Sequence, residues 1–186
     1  MAKYYKSFNP HVGGVKVRKV DDILTNLNRA VDRIKDRTLW GLIRAQARIY
    51  QEMDHAPPKI PVRYGNLRRS YFVATSRGAI YRGSSPAFTD ELKGQGRLMT
   101  GHAVALLSGR SRAIQLGITK GPSIVFGFSA WYAPYVHEMY GTKTHPIHWT
   151  RPDSGPGFFS AAIGRSWNYI LKIVAEEARK HERARR

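Results

Sequence analysis

The sequence predicts an α+β fold: a small, mainly antiparallel sheet flanked by a long N-terminal helix, a short helix and a long C-terminal helix, with an insertion loop. Three observations predict it. Apolar residues recur at three- and four-residue steps over 24–53 and again over 159–178. Between these runs lie short β-rich segments punctuated by glycine and proline. One short aromatic segment follows them.

Residues 1–13 are polar and read as a flexible arm, with a single domain over 14–180. "GVKVRKV" (14–20) partly alternates, which predicts a short strand. From Asp21 the period changes. Leu24, Leu27, Val31, Ile34, Thr38, Leu42, Ala45, Ile49 and Met53 mark one face of a helix that Pro57 and Pro58 close. Asp21 and Asp22 stand where a cap and first-turn carboxylates belong. At 1.5 Å per residue such a helix is roughly 45–50 Å long. That is too long to be buried end to end in so small a domain, so part of it is expected against another subunit. Gly41 is the expected bend.

"SYFVATS" (70–76) reads as a strand, and "AIQLGIT" (113–119) with "SIVFGFS" (123–129) as a hairpin turning at Lys120-Gly121-Pro122. Residues 77–112, rich in Gly, Ser and Arg, read as an insertion loop with one short helical piece at 101–109. Pro134 suits the first turn of a short helix in "YAPYVHEMYG" (132–141). Phe159, Ile163, Trp167, Ile170, Val174 and Ala178 mark the last helix, and 181–186 form a basic tail.

The chain has 186 residues, 42% of them hydrophobic, enough for a core. It has no cysteine, which excludes disulfides, thiolate catalysis and zinc–thiolate sites. No apolar run is long enough for a membrane span, and the N-terminus lacks the apolar region of a secretory signal. Against 13 acidic residues stand 31 Lys and Arg, a net charge of +18 that attracts polyanions, nucleic acid foremost.

Catalytic patterns are not indicated. His145 and His148 stand three apart, but Pro146 interrupts a helix there. His137-Glu138 opens a zinc-protease pattern whose last position is Gly141. "GQGRLMTG" (94–101) has Met99 in place of the third glycine of a dinucleotide loop. No enzyme, cofactor or metal is expected. "PVRYGNLRRSY" (61–71) reads as a turn: Gly65 and Asn66 tolerate left-handed angles, Leu67 anchors the core, and Arg68 and Arg69 flank the strand start.

Three segments in order carry a family resemblance: "APPKIPVRYGNLRRSY" from Ala56, "FGFSAWYAPYVHEMYG" from Phe126, and "GPGFFSAAIGRSWNYILKIVAEEA" from Gly155. Together they make the chain, over roughly 14–180, resemble the tail-completion or neck (head–tail connector) proteins of tailed bacteriophages. It departs from their pattern at Tyr64, where the family usually has Thr, and in the length of 77–112.

The resemblance implies a structural protein of the virion, assembled in the host cytoplasm. Such proteins form rings, often of six copies, that join portal or head-closure proteins to the tail tube or tail terminator. Genomic DNA passes through the lumen. Arg63, Arg68, Arg69, Arg77, Arg82, Arg97, Arg110 and Arg112 are then candidates to line the DNA channel or an interface. Trp131, Tyr132, Tyr135, His137 and Tyr140 are candidates for the subunit interface. The alternatives are a tail-terminator or minor capsid protein of related fold and, in a different class, a free non-specific nucleic-acid-binding protein.

Overall fold

The computed structural model describes residues 18–84, 86–89, 95–141 and 147–183. The predicted arm, and the last three residues of the predicted tail, lie outside them. The chain divides into two compact units, Met1–Ile34 and Lys35–Arg186. The described part of the first unit is the opening half of α1 (Arg18–His55). Ile23, Leu24, Leu27, Val31 and Ile34 stand exposed on it. The expected strand at 14–20 is corrected: 18–20 are helical, and 14–17 lie outside the described residues. Val20 stands four residues before Leu24, so the helical period starts earlier than the alternation suggests.

The second unit holds the rest of α1, then α2 (Asn66–Arg69), β1 (Tyr71–Thr75), β2 (Ile80–Arg82), α3 (Gln95–Lys120), β3 (Ile124–Phe128), α4 (Ala133–Glu138) and α5 (Phe158–Arg183). The fold class is α+β, with one three-stranded antiparallel sheet in the order β2-β1-β3. Tyr71 pairs with Phe128 and Val73 with Phe126, so these four side chains share one face. On that face Tyr71 packs on Tyr50 of α1, while Phe126 and Phe128 meet Phe159 of α5 edge to face. Phe72 and Ala74 point to the other face, where α3 lies. Every residue of β1 is therefore buried.

Two expectations fail here together. The 77–112 stretch is not an insertion loop, since it carries β2 and most of α3, and 113–119 is not a strand but the end of that helix. The expected hairpin is absent: β1, from across the helix, is the partner of β3. Gly101, Ala105, Gly109, Ala113 and Gly117 recur every fourth residue, a helical stripe of small side chains. A Cβ on Gly109 would lie 2.6 Å from the Phe72 ring, and one on Gly117 2.6 Å from the Ser76 Cβ. The glycines bring the helix close to the strand. His102 of the same helix is buried between Phe72 and Phe88. Its Nε2 lies 2.5 Å from the Gly83 carbonyl and its Nδ1 2.5 Å from Ser129 Oγ. A carbonyl only accepts, so Nε2 carries a proton.

α1 also runs unbroken past Gly41. A Cβ there would sit 2.9 Å from the Val174 Cα of α5, so the glycine permits two helices to touch. Beside this contact Arg44 and Lys180 both pair with Glu177. The Lys180 hydrogen bond holds the Glu177 carboxyl below the usual carboxylate range; burial opposes this and the Arg44 charge adds to it. Gly41→Leu is expected to destabilise the protein by about 2 kcal/mol through overpacking, read as a lower urea midpoint at unchanged slope. An unchanged midpoint would show that the two helices do not meet there.

Candidate anion-binding groove and exposed aromatic face

The turn at 61–71 is built as its residues dictate. Gly65 has φ 81°, the left-handed conformation that the Tyr64-Gly65 reversal requires. Asn66 does not share it. Its buried side chain clamps a remote segment instead: Oδ1 accepts from the Thr89 amide at 2.9 Å, and Nδ2 donates to the Thr89 carbonyl at 3.2 Å. Leu67 is buried, as expected. Asn66→Ala removes these bonds, and a third from Thr89 Oγ1 to Asn66 Oδ1 at 3.1 Å, and strands the half-buried Thr89 groups. We expect a loss of about 2 kcal/mol and faster amide exchange at Thr89; retained protection would argue against the clamp.

The eight candidate arginines separate by what holds them. Arg68 donates to Asp54 Oδ2 at 2.6 Å. Arg151, which sequence reasoning missed, donates to Asp54 Oδ1 at 2.7 Å and to the Asp54 carbonyl at 2.5 Å. Arg77 is paired with Asp36, and Arg112 donates to Gln115 at 3.0 Å. Arg110 lies against Gly78, its Nε 3.3 Å from where a Cβ would stand. Arg63, Arg82 and Arg97 lie over aromatic rings instead: Tyr64 at 5.0 Å, Tyr50 at 3.7 Å and Trp131 at 4.4 Å. Arg69 is exposed beside Gly65.

Arg68, Arg69 and Arg82 converge on one open groove of about 640 Å³, also lined by Tyr50, Tyr64 and Tyr71. Tyr71 donates to Gln46 Oε1 at 3.0 Å. Burial pushes its phenol far above the usual range, an effect the Arg82 charge opposes. Tyr50 was missed because it reads only as one more residue of α1. Its spacing of four from Gln46 and three from Met53 places it on the buried side.

The five aromatic-segment candidates also divide. Trp131, Tyr135 and Tyr140 are 51%, 66% and 67% exposed. Tyr132 packs against the core cluster. His137 rests on the rings of Phe158 and Phe159, and its carbonyl accepts from the Gly157 amide at 2.8 Å. His137 thus fastens α4 to α5 and does not belong to the exposed aromatic face. Beside that face a second groove of about 620 Å³ runs between 61–67, α4 and 147–150.

His145 lies outside the described residues, and His148 is exposed. Among the described residues no three His, Asp or Glu side chains gather to hold a metal, and no helix is long and apolar enough to cross a membrane. No family model, curated protein or solved structure matches the chain.

Proposed function

We propose that this chain is a structural subunit of the head–tail junction of a tailed bacteriophage. Its copies close into a ring, on the family's pattern of six, between portal or head-closure proteins and the tail tube or terminator, with DNA in the lumen. The observation that carries the reading is the apolar face of the first half of α1, where Ile23, Leu24, Leu27, Val31 and Ile34 are all exposed. Full burial of such side chains stabilises by roughly 1.5–3 kcal/mol each, so an assembly gains where one chain alone does not. Exposed Trp131, Tyr135 and Tyr140 suit the same role. The three ordered sequence segments that resemble neck proteins give the assembly its class.

Electron cryomicroscopy of intact particles tests the proposal. We expect density for this chain at the junction of head and tail; its absence there overturns the reading. Leu27→Glu with Val31→Glu is expected to abolish assembly, read by sedimentation. Because both positions are exposed, the isolated chain should lose no more than about 0.5 kcal/mol. Assembly that survives both changes would remove this face from the interface. The net charge of +18 favours a second reading, a free nucleic-acid-binding protein. Tight, sequence-selective binding by the isolated chain would favour that reading over assembly.

A further inference from the structure

We infer that the groove between α1, α2 and β2 is a nucleic-acid backbone site, in which Arg69 and Arg82 take phosphodiester oxygens without reading sequence. The Arg82 guanidinium lies 3.7 Å from the centre of the Tyr50 ring and 5.5 Å from that of Tyr71. A guanidinium held over an aromatic face keeps its N–H edge free for bidentate contact with an oxyanion. No carboxylate lies within ion-pair reach of Arg82 or Arg69 among the described residues, and no described lining residue is acidic. Arg68 adds a third positive charge, although Asp54 already occupies one of its edges.

The chain's own carboxylates identify the class of partner. Asp36, Glu52, Asp54, Asp153 and Glu177 are each paired with an arginine or lysine of the same chain. With 31 Lys and Arg against 13 acidic residues, five of which are already paired within the chain, a second copy brings net positive charge to this groove, whereas nucleic acid presents a continuous row of phosphates. The aromatic rings point to the backbone rather than the bases. Tyr50 carries Arg82 and also packs on Tyr71, and Tyr64 carries Arg63, so neither ring offers a base two open faces. The site lies within one chain, and it stands or falls separately from the location of that chain in a particle.

The test is a salt titration of the full chain on a 20-base-pair duplex of arbitrary sequence, followed by fluorescence anisotropy. Arg69→Ala with Arg82→Ala removes two phosphate contacts and should make the log–log salt slope shallower by about 1.8, at roughly 0.9 per contact. Lys120→Ala with Lys172→Ala removes the same charge from α3 and α5 and should change the slope by less than half as much. Equal changes in the two variants overturn the site, as does a wild-type chain that does not bind the duplex. Glutamine at 69 and 82 keeps the stems and gives the same reading if the alanine variant fails to fold. Polyglutamate that displaces the duplex at equal charge would also overturn the phosphate assignment.

Discussion

Gly109→Leu is expected to cost the fold about 3 kcal/mol, at the upper end of what overpacking a core does. The position has no spare volume, since even a single Cβ would stand 2.6 Å from one atom of the Phe72 ring and 3.3 Å from another. Phe72 cannot yield easily. It is buried, and its ring also meets His102 edge to face. The helix must then lift from β1, loosening the layer on that side of the sheet. For a chain of this size the loss corresponds to a fall of roughly 6–12 °C in Tm. Gly164→Ala in α5 is the counterpart. A Cβ there meets nothing within 4 Å, so the helix keeps only the benefit of a better helix former, about 0.5–1 kcal/mol. Calorimetry on both variants decides the matter. Equal melting temperatures would mean that α3 does not lie on β1.

Asp54→Ala is the second large effect, expected at about 2–4 kcal/mol in urea unfolding. One carboxylate holds two guanidinium groups that arrive from distant parts of the chain, Arg68 just before β1 and Arg151 just before α5. Its side chain is 14% exposed. Removing it leaves two cations close together, half-buried and without their counter-charge, which costs far more than the pair's own net contribution. Asp54→Asn keeps the shape and part of the hydrogen bonding, and should cost about half as much. Lys59→Met breaks an ion pair whose Asp153 partner is largely exposed and should cost less than about 1 kcal/mol. Similar losses at Lys59 and Asp54 would refute the idea that Asp54 ties these segments together.

Much of the scaffold is legible in the residues. The steps of three and four in α1 and α5, the β-branched and aromatic runs of β1 and β3, and Pro134 in α4 each point to the element that forms. α3 is different because its inward side mixes Leu98, His102 and Leu106 with a stripe of glycine and alanine that includes Gly109 and Ala113. Ordinarily such residues signal a loop or a weak helix, and a period of four among small side chains carries little hydrophobic contrast. Only the closeness of the sheet gives those glycines their purpose. The predicted hairpin fails for a related reason: pairing of β3 with β1 across a 26-residue helix leaves no local mark. At the candidate site, Gly65 and Leu67 act as their residue types suggest. The partner of Arg68 lies fourteen residues earlier and that of Arg151 ninety-seven, distances at which no spacing rule operates.

β1 also bears on the order in which the chain can fold. Its buried faces are completed by α3, then by β3, and finally by Phe158 and Ala162 at the start of α5. A ribosome adding about 5–20 residues per second needs roughly 5–20 s to pass from Tyr71 to Ala162. Over that interval "YFVAT" gains its cover in steps, with α1 already made, α3 and β3 arriving in turn and the start of α5 last. A chain truncated before α5 keeps β1, β2 and β3 yet leaves Phe126 and Phe128 without their Phe158 and Phe159 cover, so synthesis must reach the last helix before the sheet is sealed.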